Sequence, residues 1–141
     1  MSTPPSDLAL RDELVRVSFE VMARLTQLAA EEGMSLTQLR VLGVLRDRRP
    51  RMAELADGLG LDRSSVTGLI DRSQARGLVE RVAGEGDGRV VRVALTEEGQ
   101  RTALRMATRM SELLADVVAP LPGPTKTSLL DGLQRLFATD F

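Results

Sequence analysis

The stretch LDRSSVTGLIDRSQARG, residues 61–77, decides how the chain folds. It starts with Asp62, a residue that favours the N-terminal cap of a helix, and it ends at Gly77, a frequent helix stop. At about 100° per residue, one side of this helix carries the predicted core positions Val66, Leu69, Ile70 and Ser73. Its other side carries hydroxylated, small and basic residues. A solvated surface helix has the same pattern, so the flanking segments decide whether this side binds a partner.

The flanking segments predict a winged helix-turn-helix. Met52 to Leu59 forms a short amphipathic helix closed by Gly60, which gives a helix-turn-helix over about residues 52–76. A β-hairpin wing is then predicted over residues 78–95, from the segments LVERVA and VVRVALT and the turn GEGDGR between them. In the second strand, Val91, Val93 and Leu95 alternate with Arg92 and Ala94. The winged core therefore spans residues 35–97.

Amphipathic helices precede and follow this core. Ser6 or Asp7 caps the first, and Ser35-Leu-Thr-Gln38 reads as the capping box of a second that ends near Asp47. Thr96 begins a fifth helix, and a final helix runs from about Thr125. The predicted fold class is mainly α with a small β-hairpin wing. The winged core and its terminal helices form a single domain over residues 6–140.

Composition excludes several kinds of chemistry. The 141 residues contain no Cys, His, Trp or Tyr, so zinc sites, thiol nucleophiles, thiol switches and imidazole bases are excluded. The adjacent carboxylates Glu31-Glu32 and Glu97-Glu98 diverge by about 100° on a helix. They do not assemble a hydrolase site, and we predict a non-enzyme without a metal or cofactor. With no spanning apolar run and no signal peptide, the protein is expected to be cytoplasmic and without a membrane partner.

Charge and wing together favour a DNA-binding surface. The net charge of the chain is −1, but it is unevenly distributed. Residues 46–92 hold ten basic and eight acidic residues, whereas the rest of the chain holds nine basic and twelve acidic residues. A helix fits the ~12 Å major groove, and Arg89 on the glycine-rich wing can enter the minor groove. Asp71, on the polar side of the central helix, repels phosphates unless an arginine pairs with it or it accepts from a cytosine amino group.

Three segments resemble the MarR family of bacterial transcriptional regulators: LTQLRVLGVLRD (36–47), MAELADGLGLDRSSVTGLIDRSQARGLVER (52–81) and DGRVVRVALTEEG (87–99). The resemblance implies a homodimer joined by helices 7–32 and 97–139, with the helix from Arg63 as the recognition helix. It also implies that Asp87 steadies Arg89 in a wing D-x-R element. The predicted DNA-binding residues are Arg63, Ser64, Ser65, Thr67, Gly68, Arg72, Asp87 and Arg89.

This sequence departs from the family pattern at three positions. Arg51 stands where a Ser or Thr often caps the first helix of the motif, and Gly68 stands where many relatives have a larger, often basic residue. Ser73 replaces a common apolar residue. Because an unpaired buried hydroxyl costs about 1 to 3 kcal/mol, Ser73 is expected to need a hydrogen-bond partner.

The expected function is sequence-specific binding of double-stranded DNA by a homodimeric repressor on an inverted repeat, with recognition helices about 34 Å apart. The resemblance implies a small-molecule effector between the dimer helices and the winged unit. Phe19, Met22 and Arg40 could line such a pocket, although core packing suits the first two and a structural role suits Arg40. The alternative is a winged-helix protein–protein interaction module without DNA binding, which the low net charge favours.

Overall fold

The computed structural model describes residues 3–84 and 86–137, without the side chain of Asp87. Six helices and one hairpin follow one another in the described chain. They are α1 (Asp7–Glu31), α2 (Leu36–Leu45), α3 (Met52–Leu59), α4 (Arg63–Ala75), β1 (Val79–Gly84), β2 (Asp87–Leu95), α5 (Glu97–Val118) and α6 (Gly123–Leu136). The two strands pair antiparallel. The predicted class, mainly α with a small hairpin wing, is confirmed.

Local side-chain caps set several helix starts. The Ser6 hydroxyl accepts a hydrogen bond from the Ala9 N–H at 3.2 Å, and the Thr96 hydroxyl accepts from the Gly99 N–H at 3.0 Å. Each bond satisfies one of the N–H groups that a helix leaves without an intrahelical partner. Of the two caps considered for the first helix, Ser6 is therefore the one used.

Two predicted boundaries were wrong by about two residues. The second helix ends at Leu45 rather than near Asp47, because the last α-type bond in that turn runs from Arg46 N to the Leu42 carbonyl. The final helix begins at Gly123 rather than Thr125. Proline in the first turn is tolerated, since the N–H that it lacks would have no helical partner there.

The core of the winged unit is built by α2 to α5 together with the hairpin. Its largest fully buried side chains are Leu55, Ile70, Met106, Val41, Val66, Val79 and Val93. Gly99, in the first turn of α5, lies directly against the backbone of Leu78: a Cβ on Gly99 would stand 1.9 Å from the Leu78 carbonyl oxygen. This close approach joins α5 to the segment that links α4 with the hairpin.

The chain divides into two compact units, residues 1–36 and 37–141, and α1 belongs to the first. Most large apolar side chains of α1 are exposed, including Phe19 and Met22. The interpretation of these two as core residues was therefore wrong for the single chain. Arg40, in the second unit, donates to the Gly58 carbonyl at 3.0 Å and so ties α2 to the end of α3.

Burial decreases along the two C-terminal helices. In α5, Thr102, Ala103 and Met106 are buried near its start, whereas Val117 and Val118 at its end are exposed. Every residue of α6, all of them within the described chain, is exposed. No helix in the two described ranges is long and apolar enough to cross a membrane.

Candidate nucleic-acid interface

Helix α4 buries one side and exposes the other. The four predicted core positions Val66, Leu69, Ile70 and Ser73 are all buried, which confirms the predicted orientation of the helix. The Ser73 hydroxyl donates to the Leu69 carbonyl at 2.9 Å, so this buried hydroxyl has the partner that it needs. The opposite side, including Ser64, Thr67 and Asp71, remains exposed.

The start of α4 is held by the carboxylate of Asp62. Its Oδ1 accepts from the Ser65 N–H at 2.8 Å and from the Ser64 hydroxyl at 2.7 Å, and its Oδ2 accepts from the Ser65 hydroxyl at 3.0 Å. The bond from the Ser64 hydroxyl, followed by the two from Ser65, lowers the pKa of Asp62 to about 2. At neutral pH the cap is therefore ionised.

Three hydroxyl groups predicted to face DNA already donate within the chain. Ser64 and Ser65 donate to Asp62, and the Thr67 hydroxyl donates to the Arg63 carbonyl at 2.8 Å. A hydroxyl that donates inward still has lone pairs that can accept. In this conformation the exposed side of α4 presents acceptors, which suit the amino groups of adenine and cytosine in the major groove.

The arginines of α4 lie at its start and along its edge. Arg63 is the first residue of the helix and is exposed. The Nη1 atom of Arg72 lies 3.3 Å from the position that a Cβ on Gly68 would occupy. The absence of a side chain at Gly68 thus leaves room for the Arg72 guanidinium against the exposed helix surface.

The hairpin carries the predicted wing arginine. Its register pairs Val79 with Leu95 and becomes irregular between Ala83 and Gly84, next to the turn. Arg89, the third residue of β2, is exposed. Asp87 begins β2, but its side chain lies outside the described part of the structure, so the predicted contact within the D-x-R element stays a prediction.

The hairpin deviates from simple alternation, and it also pairs with the loop before α3. Val93 N donates to the Pro50 carbonyl at 2.9 Å, and Arg92 Nη1 donates to the Arg49 carbonyl at 2.9 Å. Val91 is exposed and Ala94 is buried, contrary to the predicted pattern. The position of Arg92 was missed at the sequence level, because its partner lies 43 residues away.

The N-terminal cap of α3 is formed differently from the usual Ser or Thr arrangement. Arg51 occupies the cap position and makes no side-chain bond to the helix N–H groups. Instead, Glu54 Oε1 accepts from Arg51 N at 3.1 Å and from Arg51 Nε at 2.8 Å. These bonds lower the pKa of the Glu54 carboxyl. The acidic residue three positions into the helix therefore satisfies the cap residue's backbone.

The structure resolves the unfavourable position of Asp71 by pairing it with an arginine. Arg81 Nη2 donates to Asp71 Oδ1 at 2.7 Å, and Arg81 Nη1 donates to Gln74 Oε1. An arginine and a cytosine amino group were the two partners considered for Asp71, and the arginine is the one observed within the chain. Arg81 itself was not identified from the sequence, although it follows α4 closely, across the turn at Gly77.

In the described parts of the chain, no three Asp or Glu side chains lie close enough to hold a metal ion. The arrangement on α4 and the hairpin is instead one of hydroxyls, arginines and a paired carboxylate on an exposed surface. Such a surface can donate to phosphates and contact base edges.

Comparisons with known proteins agree with this description. Residues 32–90 match the model of the MarR family. The uncharacterized HTH-type transcriptional regulator YsmB of Bacillus subtilis is 42% identical over 66 residues, which are 47% of this chain and 45% of YsmB. The alignment thus spans about half of that relative.

Two solved structures share nearly the whole fold. A MarR-family regulator from Rhodococcus sp. RHA1 has a TM-score of 0.79 at 24% identity, with 97% of this chain and 99% of that chain covered. CouR from Rhodococcus jostii RHA1, solved with p-coumaroyl-CoA, has a TM-score of 0.78 at 26% identity, with 96% of both chains covered. The winged-helix topology is therefore shared over the terminal helices as well as the matched central segment.

Proposed function

Because the chain belongs to the MarR family of winged helix-turn-helix transcriptional regulators, we propose that it binds double-stranded DNA sequence-specifically as a homodimer. Its site of action is the cytoplasm, and its target is an inverted repeat. The proposed contact residues are those predicted from the sequence: Arg63, Ser64, Ser65, Thr67, Gly68, Arg72, Asp87 and Arg89.

One observation carries this proposal. Helix α4 completes its apolar packing inside the chain, and its exposed side carries hydroxyls and arginine beside a hairpin with an exposed arginine. A helix with this surface fits the major groove while Arg89 approaches the minor groove. The paired state of Asp71 supports the proposal further, since a neutralised carboxylate repels phosphates less than an unpaired one.

Exposed apolar side chains support the homodimer. They occur on α1, on the second half of α5 and on α6, and include Leu10, Leu14, Val17, Val117, Val118, Leu129 and Leu133. A second apolar surface that covers such side chains removes them from water, which favours association. We assign residues 7–32 and 97–139 to dimerisation, within a single domain over residues 6–140 that contains the winged core 35–97; residues 138–140 lie outside the described part of the structure.

We extend the proposal to repression and to release by a small molecule. A dimer seated on an inverted repeat within a promoter would exclude other proteins from that DNA. The solved complex of CouR with p-coumaroyl-CoA supports a small-molecule effector. An effector releases DNA only to the extent that it binds the non-binding conformation of the dimer more tightly than the binding one.

Selection of bound duplexes from a random library tests the proposal. We expect enrichment of an inverted repeat, bound by two protomers per duplex, because a two-fold dimer presents two equivalent recognition helices. Sedimentation of the complex gives the stoichiometry. A library that shows no enrichment after several rounds, with protein that is folded by circular dichroism, would contradict sequence-specific binding.

The alternative function is a winged-helix module that binds a protein and not DNA, which the net charge of −1 favours. The salt dependence of duplex binding separates the two. For DNA binding, the logarithm of the affinity falls with the logarithm of salt with a slope of about −0.9 per neutralised phosphate. A slope near zero, or no measurable binding at low salt, would support the interaction module.

A further inference from the structure

The ion pair between Asp71 and Arg81 connects the two elements proposed to contact DNA. Asp71 lies on the exposed side of α4, and Arg81 lies on β1, after the turn that follows the helix. Their side chains are 60% and 31% exposed, respectively. The same guanidinium also donates to Gln74, so Arg81 bonds to two α4 side chains one helical turn apart.

A free arginine at this place would have a different effect on DNA binding. Arginine binds phosphates in any duplex, which adds affinity without adding sequence information. In the structure two of its N–H groups are directed to Asp71 and Gln74 instead. Because a guanidinium donates in a fixed planar fork, these two bonds also hold the Arg81 side chain in one position against α4.

We propose that Asp71 is a specificity-determining residue, which keeps Arg81 from the DNA backbone and positions the hairpin against the recognition helix. The inference rests on the proposed function. Asp71 disfavours sequence-independent binding by removing one cation from the surface, and it favours the selected sequence by holding α4 and the wing at one angle. An exposed ion pair of this type contributes little to folding stability, so a substitution at Asp71 should change binding while the fold is kept.

The test compares Asp71→Asn with the wild type on a selected duplex and on a random duplex. For the variant, we expect the salt slope on random DNA to steepen by about 0.9, since Arg81 becomes available to one phosphate. When salt is raised from about 50 to about 200 mM, the affinity for random DNA should therefore fall about 3.5-fold more for the variant than for the wild type. The affinity ratio of selected to random DNA should fall.

Two further variants isolate the pair from a general effect of charge. In Asp71→Asn with Arg81→Gln, the released arginine is gone, so the slope should return to the wild-type value while the affinity ratio stays reduced. Glu80→Gln removes the same charge from the neighbouring strand position, whose side chain alternates to the other face. It should leave both the slope and the ratio close to those of the wild type.

Each outcome has a defined meaning. If the wild type binds both duplexes with the expected slope but Asp71→Asn does not change it, or changes it no more than Glu80→Gln does, the inference is overturned and the proposed function stands. If the wild type binds no duplex, the proposed function fails, and the inference fails with it. Thermal unfolding checks each variant, and Asp71→Ala replaces Asp71→Asn if the latter does not fold, since Ala favours helix.

Discussion

Helices α4 and α6 are almost equal in length but differ in what their apolar sides contact. Of the 13 residues of α4, four are buried, and the side that stays exposed is polar. Of the 14 residues of α6, none is buried, and Leu129 and Leu133 are 44% and 53% exposed. Both helices are amphipathic by sequence. Within the described residues, the chain covers the apolar side of α4 and leaves that of α6 exposed.

This difference indicates what each helix is available to bind. The exposed side of α4 can contact a polar partner without loss of packing, because its apolar side is already covered. The exposed side of α6 gains free energy when another apolar surface covers it, at about 25 cal/mol per Å² of apolar area buried. We therefore infer that α4 meets DNA and that α6 meets a second copy of the chain.

The largest expected effect comes from charging the apolar side of α6. Leu129→Glu with Leu133→Glu should raise the dimer dissociation constant more than about a hundredfold, because each leucine contributes roughly 1.5 to 3 kcal/mol when buried. Sedimentation equilibrium over a range of concentrations measures the constant. Thr127→Glu with Gln134→Glu adds the same charge away from that side and should keep the dimer; if both pairs behave alike, α6 does not mediate dimerisation.

The second effect breaks the packing of the winged unit. Gly99→Ala places a methyl group against the Leu78 carbonyl, and we expect a loss of about 1 to 3 kcal/mol in the free energy of unfolding. Gly43→Ala is the matched control, since a Cβ there meets nothing within 4 Å and alanine favours helix. Urea denaturation compares the two. Equal stability of both variants would show that the contact at Gly99 relaxes without cost.

The third prediction concerns the contribution of the wing to DNA binding. Arg89→Ala should weaken binding to all duplexes and reduce the salt slope by about 0.9, because one cation leaves the proposed interface. Arg135→Ala, which removes an arginine paired with Asp131 on α6, is the control and should leave the slope unchanged. Fluorescence anisotropy at several salt concentrations gives both slopes. An unchanged slope for Arg89→Ala would remove the wing from the proposed site.

The smallest effect concerns the cap of α4. Because the folded-state pKa of Asp62 is lowered from 3.8 to about 2, its stabilisation is complete above about pH 4 and is lost as the pH falls through about 2. Asp62→Ala should lower the midpoint of thermal unfolding by a few degrees at pH 7. The difference from the wild type should shrink towards pH 2. A difference that is constant with pH would contradict the assigned role of the carboxylate.

Features that depend on neighbouring residues could be predicted from the sequence. The bounds of α3, the Asp62 cap and the buried side of α4 follow from helical periodicity and from capping residues within a few positions. The predicted position of the hairpin was also correct, because turn glycines and β-branched residues mark it locally.

Features that depend on distant pairing could not be predicted. The partners of Arg92 and Arg81 lie 43 and 10 residues away, and strand register determines which partner each can reach. Core packing suits Phe19 and Met22 because large apolar side chains are usually covered. Their apolar character does not show whether the same chain or another one covers them.

The most direct test of the central claim varies the spacing between the two half-sites of the selected repeat. A dimer that carries two α4 helices on one face should bind best when the half-site centres are about 10 base pairs apart, one helical turn. Inserting five base pairs places the half-sites on opposite faces of the duplex, and affinity should fall towards that for random DNA. Equal affinity at both spacings would contradict simultaneous binding of the two helices by one dimer.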